Sequence, residues 1–166
     1  MENSMKVQLA DITFDSCVDG PGLRTVVWLS GCSHRCPECH NERLQDFHYG
    51  YSMDVNELVD TLSSSKRITF SGGDPLFQVN ALDEIIGSLD PETDIWIYTG
   101  FTLDKAKEIL MDKPNLRESE FTIKCGKFDK SLKDPSCKFR GSSNQRIYHY
   151  INGIFTDISD KIDNRK

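Results

Sequence analysis

Three short runs rich in β-branched and aromatic residues each close on glycine. They are residues 25–30 (TVVWLS) before Gly31, 67–71 (RITFS) before Gly72-Gly73, and 94–99 (DIWIYT) before Gly100. Runs this short and this apolar predict buried strands. Between and after them, apolar residues recur with helical spacing. Val55, Leu58, Val59 and Leu62 form one stripe, Leu82, Ile85, Ile86 and Leu89 a second, and residues 103–110 a third helix. Ser52 is the expected N-cap of the first helix, with Asp54 in its first turn, and Thr102 the expected cap of the third. A fourth strand is predicted over 121–125. Strand alternating with helix calls for a parallel sheet with right-handed crossovers. The units are too few to close an eight-stranded barrel. The expected fold is therefore α/β, an open partial (β/α) barrel with a mainly parallel sheet. At 166 residues the chain is expected to form a single domain over 1–166. A polar C-terminal tail from about 157 to 166 is expected to fray.

Composition narrows the function. Hydrophobic residues make up 37% and charged residues 28% of the chain, as in ordinary soluble domains. The net charge of −6 comes with no basic stripe, which argues against nucleic acid as a direct ligand. No apolar run is long enough to span a bilayer, so no membrane partner is expected. The N-terminus lacks the charged-then-apolar pattern of a secretion signal. A cytoplasmic location is the expectation, and in that reducing compartment clustered cysteines are better read as metal ligands than as disulfides.

Cys32, Cys36 and Cys39 lie in the loop after the first predicted strand, spaced C-x3-C-x2-C. Such spacing lets one loop wrap a metal centre with three thiolates, the usual ligands of iron–sulfur clusters. A cube of four irons held by three thiolates leaves one iron open, and an open position marks a reactive site rather than a structural one. Zinc is the alternative, with His40 or His34 as a fourth ligand, although zinc sites usually join two separated ligand pairs. Ligands of open α/β sheets bind beyond the carboxyl ends of the strands. The cysteine loop and Ser71-Gly72-Gly73-Asp74-Pro75 both follow strands, so both are placed on that edge.

C-x3-C-x2-C directly after a first strand, followed by SGGDP after the second, resembles the radical S-adenosylmethionine superfamily. The resemblance implies a radical SAM type of partial barrel, one 4Fe–4S cluster per chain held by Cys32, Cys36 and Cys39, and S-adenosyl-L-methionine as second cofactor. Glu38, Cys39 and His40 would wrap the nucleotide, while Gly72, Gly73 and Asp74 would hold the methionine end. Asp74 stands where Glu is commoner. The cluster would pass an electron into the sulfonium and release a 5′-deoxyadenosyl radical, chemistry that needs the low end of a potential range of roughly −700 to +450 mV. Asp19-Gly20-Pro21-Gly22-Leu23-Arg24-Thr25 and Cys39-His40-Asn41 are similar to the glycyl-radical-enzyme activases, which take a hydrogen atom from a partner's backbone glycine. IWIYTG (95–100) and FRGSSNQR (139–146) resemble the group of these that serves anaerobic ribonucleotide reductase. The implied partners are the large subunit of that reductase and a reduced flavodoxin-like electron donor. Hydrogen-atom abstraction requires no side-chain acid or base, so no catalytic side chain is named. The competing functions are a radical enzyme acting on a small molecule, such as a carboxy-deazaguanine synthase, and a zinc-stabilised module without catalysis.

The chain departs from the activases at two places. His40 replaces a common Tyr, and Lys124-Cys125-Gly126 stands where Val-Asp-Gly is usual. Cys17, Cys125 and Cys137 are scattered and read as incidental or buried thiols. His34 and Arg35 are expected to be solvated, His48 and His149 to be ordinary surface or half-buried histidines, and Trp28 and Trp96 to be core side chains. Arg140 and Arg146 would either face the partner or anchor the irregular segment 126–146.

Overall fold

Alternation along the strands decides how the molecule is layered. In the computed structural model, which describes residues 5–36, 39 and 41–165, the parallel strands are β2 (Arg24–Leu29), β4 (Arg67–Gly72), β5 (Asp94–Tyr98) and β6 (Phe121–Cys125). Successive strand residues point to opposite faces. On one face Val27, Leu29, Ile68, Phe70, Ile95, Ile97, Phe121 and Ile123 are buried in the main core. The helices α1 (Val55–Leu62), α2 (Val79–Ser88), α3 (Leu103–Met111) and α4 (Pro114–Glu118) cover that face, through Leu58, Leu62, Leu82, Ile85, Ala106, Leu110 and Leu116. Truncating such a leucine or isoleucine to alanine costs about 2–5 kcal/mol. Asp83 of α2 accepts from the Leu116 amide (2.8 Å) and from Asn115 Nδ2 (3.1 Å), which ties α4 to α2.

The sheet is mixed, not mainly parallel. Its order is β3-β1-β2-β4-β5-β6-β7-β8, with β1 (Lys6–Ser16), β3 (Tyr51–Asp54), β7 (Arg146–Ile151) and β8 (Ile154–Asp157) completing the edges. Parallel pairing is confined to β2, β4, β5 and β6, and every pairing outside them is antiparallel. For β1–β2 and β7–β8 the physical reason is connection length: short turns can return the chain only antiparallel. The β7–β8 turn is Asn152-Gly153, both with positive φ (50° and 81°), the conformation a tight hairpin demands. The β1–β2 connection is the Asp19–Gly22 turn.

Local corrections follow the same logic. α1 starts after Asp54, which takes the N-cap position with no side-chain capping hydrogen bond, because Ser52 is paired in β3. Thr102 does cap α3, accepting from the Lys105 amide at 3.3 Å. Within the expected tail the structure forms α5 (Ser159–Asp163), with Ser159 and Ile162 buried. Among the described residues no helix is long and apolar enough to cross a membrane.

Candidate functional site

The opposite face of the sheet carries a different set of side chains. Trp28 of β2 lies in register with Ser71 of β4, and Tyr98 of β5 with Lys124 of β6. All four line one cavity of about 420 Å³, together with Cys32, Cys36, Cys39, Gly72 and Gly73. Five of the residues singled out from sequence thus share one wall at the carboxyl ends of the parallel strands. Glu38 and His40 lie outside the described residues. Trp28 borders this cavity half-buried instead of joining the core, with its indole N–H donated to Thr13 Oγ1 (2.9 Å). Trp96 belongs to a small second cluster with Ile147 and Ile162.

Backbone contacts hold the two loops together. The Gly73 amide donates to Leu29 O (2.8 Å) and the Asp74 amide to Gly31 O (2.9 Å). Asn41 Nδ2 reaches Gly72 O at 3.3 Å. On the far side of the cysteine loop, Gly31 N donates to Leu44 O (2.7 Å) and Cys32 N to Gln45 O (3.2 Å). This approach is possible only without side chains. Gly72 has φ +117°, and a Cβ there would sit 2.2 Å from Leu29 O. A Cβ at Gly73 would sit 2.4 Å from Leu44 O and 2.5 Å from Gly31 O.

Asp74 does not line the cavity. Its carboxylate is buried beneath it and fully hydrogen-bonded. Oδ2 contacts His34 Nε2 (2.6 Å) and accepts from Thr99 Oγ1 (2.9 Å) and Gly100 N (2.9 Å). Oδ1 accepts from Leu76 N (3.0 Å), capping the 3-10 turn Pro75–Gln78. His34 is therefore not solvated: its side chain is only 7% exposed. Its ring packs against Phe101 and Phe77, at centroid distances of 4.4 and 5.3 Å. The pair Asp74–His34 fastens the cysteine loop to the glycine loop and to the end of β5. This burial is not legible from the sequence, because a three-residue gap between cysteines has no periodicity from which burial can be read.

The thiols fit a thiolate-bound cluster. All six cysteines are free, and those of the triad face a common cavity, as ligands bound to different irons require. The Asn41 amide points at Cys39 Sγ (3.4 Å), the type of N–H···S contact that helps to set cluster potentials. Burial pushes the Cys32 thiol up, and Asp74, Cys36 and Cys39 raise it further, against a lowering backbone contact from His34. Such a thiol is costly to ionise until a metal takes the charge. Among the described residues no three His, Cys, Asp or Glu side chains gather tightly enough to hold one metal ion.

The remaining motifs make bonds within the fold or line its cavities. Arg24, fully buried, donates to Thr69 Oγ1 (2.8 Å), Pro21 O (3.0 Å) and Asp94 O (2.8 Å), and so locks the Asp19–Gly22 turn under the site. Arg140 makes a bidentate bond to Asp163 (2.9 and 2.7 Å), anchoring the irregular segment to α5. Arg146 pairs with Asp157 at 2.9 Å. Cys125 lines a neighbouring cavity of about 650 Å³ with His34, Gly100 and Gly126, and burial pushes its thiol up to about 12. His48 is exposed, and His149 is partly exposed beside Glu120.

Comparison with known proteins places these features in a family. Residues 18–148 match a family model described as a 4Fe-4S single cluster domain. The chain is 37% identical over 144 residues to an anaerobic ribonucleoside-triphosphate reductase-activating protein of Escherichia coli (strain K12), covering 80% of this chain and 92% of that protein. It is 34% identical over 149 residues to the protein of the same name from Enterobacteria phage T4, covering 83% and 91%. The corresponding Vibrio cholerae protein is 30% identical over 148 residues, covering 80% and 92%.

Proposed function

Because the chain belongs to the family of anaerobic ribonucleoside-triphosphate reductase-activating proteins, we propose that it is a radical S-adenosylmethionine oxidoreductase that installs a glycyl radical on an anaerobic ribonucleotide reductase. The observation that carries the proposal is the shared cavity: three free thiols and two obligatory glycines meet at the carboxyl edge of four parallel strands. The parallel strands would be the half-barrel of the superfamily, extended at both edges by antiparallel strands.

Cys32, Cys36 and Cys39 would hold the 4Fe–4S cluster, and their close spacing leaves one iron for S-adenosylmethionine. When bound, the two cofactors together supply a carbon radical strong enough to take hydrogen from a backbone glycine. The chain positions them. Gly72 and Gly73 offer bare backbone to the methionine end, as close approach requires. Asp74 acts from below, where its bonds to His34, Thr99 and Gly100 fix the two loops at one spacing. Glu38, Cys39 and His40 are assigned to the nucleotide. Holding both cofactors in one orientation is the protein's share of the rate. A one-electron donor of flavodoxin type would serve the cluster.

The test is anaerobic reconstitution followed by reaction with S-adenosylmethionine and a reductant. Iron and sulfide in equal amounts, with formation of methionine and 5′-deoxyadenosine, are expected. Bound zinc without iron or sulfide would overturn the proposal.

A further inference from the structure

Lys124 is a buried cation of the cavity wall that is hydrogen-bonded to neutral groups alone among the described residues. It stands on β6 in register with Tyr98 of β5, and alternation turns it into the cavity instead of the core. Its Nζ donates to Thr99 O (2.9 Å) and Gly126 O (3.2 Å) and lies 5.9 Å from the centroid of the Tyr98 ring. An ammonium has three donors, so two are used on neutral carbonyls. The other charged groups of the site are bonded within the fold or exposed: Asp19, which also lines the cavity, accepts from Ser16 Oγ (2.6 Å). Asp74 is held by His34, Thr99, Gly100 and Leu76, Arg140 is bound to Asp163, and Lys127 is exposed. Among the described residues no carboxylate is bonded to Lys124. Burial disfavours the ammonium, and the Asp74 carboxylate, with Cys125, Cys36 and Cys32, favours it; a buried ammonium with no carboxylate bonded to it is expensive, and the groups it shares the wall with are Cys32, Cys36 and Cys39.

We propose that Lys124 is the counter-charge of the iron–sulfur cluster and raises the cluster's reduction potential. The inference rests on the cluster assignment made above. Three thiolates outweigh the positive charge of a resting 4Fe–4S core, and adding an electron makes the loaded site more negative still. A fixed cation in the same cavity stabilises the reduced form more than the oxidised one. Net charge is one of the quantities that set such potentials. Burial strengthens the effect, since a unit charge acts through the low effective dielectric of the protein rather than through water. The lysine would keep a strongly reducing cluster within reach of a protein electron donor.

The test compares Lys124→Met and Lys124→Gln, which remove the charge, with Lys124→Arg, which keeps it. Each is reconstituted anaerobically, iron and sulfide are counted, and the cluster is titrated against mediators by electron paramagnetic resonance without S-adenosylmethionine. At the potential where the unaltered protein is half reduced, both neutral variants should carry a reduced-to-oxidised ratio about tenfold lower, a shift of about 59 mV for one electron. The arginine variant should stay near the unaltered ratio. Neutral variants that load a full cluster and titrate with the unaltered protein would overturn the inference. Loss of fold in both neutral variants, seen by circular dichroism, would overturn it in favour of a purely structural lysine. Failure of the unaltered protein to take up iron and sulfide would instead overturn the proposed function, and is distinguishable because no cluster is then present to titrate.

Discussion

Replacing Asp74 by alanine tests whether its carboxylate fastens the site from below. The substitution removes the acceptor for four donors at once: His34 Nε2, Thr99 Oγ1, Gly100 N and Leu76 N. The carboxylate is 1% exposed, so water does not replace it without rearrangement. Each orphaned buried donor costs about 1–3 kcal/mol, and such losses are not additive. Because the four donors share one acceptor group, the expected loss is about 3–5 kcal/mol, well short of the sum. It is a large share of the roughly 5–15 kcal/mol that holds a typical domain together. Urea unfolding of the cluster-free protein, kept anaerobic and reduced, reads the loss as a lower midpoint at unchanged slope. D74N should fall between, because its amide keeps one acceptor oxygen and turns an N–H₂ toward the remaining donors. A D74A protein within about 1 kcal/mol of the unaltered chain would refute the anchoring role. The carboxylate would then be reserved for a ligand.

Other substitutions probe the neighbouring parts. Cys32→Ala, Cys36→Ala and Cys39→Ala should each abolish iron and sulfide uptake while leaving the far-ultraviolet circular dichroism unchanged, whereas Cys17→Ser, at an exposed thiol, should load normally. Gly73→Ala forces a methyl group to within 2.4 Å of Leu44 O, so it should cost about 1–3 kcal/mol and lower the iron retained per chain on desalting. Arg140→Ala removes the bidentate partner of Asp163 and should destabilise by about 3 kcal/mol at neutral pH. The Arg140 bond holds the Asp163 carboxyl below its usual range. Its stabilising effect is therefore complete above the ordinary carboxylate pKa of about 3.9 and is lost as pH falls through the lowered folded value. Urea midpoints of the two proteins should accordingly converge below about pH 4.

The parts of the fold that were legible in sequence are those with one-sided burial. Residues of β2, β4, β5 and β6 read as strands because their core-facing aliphatics recur inside short runs bounded by glycine. The edge strands were not legible. Val7 and Leu9 of β1 are buried, but the rest of that strand is not, so its pattern is broken halfway. β7 mixes Tyr148, His149 and Tyr150, and only its turn, Asn152-Gly153, carries a local signal. Those edges turn an expected mainly parallel sheet into a mixed one. At the site, the cysteine spacing and the paired glycines were readable because each is a local pattern. His34 and Lys124 were not, because their positions depend on what faces them. His34 is buried by Phe77, Phe101 and Asp74, which reach it from other loops. The alternation of Ile95, Trp96, Ile97 and Tyr98 did hold a signal, since aliphatics take the core face and aromatics the other. Carried across the register, it turns Lys124 to the same side as Tyr98.

In the proposed function the cavity above β2, β4, β5 and β6 makes a radical and delivers it to a protein glycine. The most direct measurement mixes the reconstituted protein, a reductant, S-adenosylmethionine and an anaerobic ribonucleotide reductase, then records the electron paramagnetic resonance spectrum. A glycyl radical signal on the reductase that grows with 5′-deoxyadenosine and disappears in the Cys36→Ala variant is expected. Deoxyadenosine formed without any signal on the reductase would contradict it, leaving a radical enzyme whose substrate is something else.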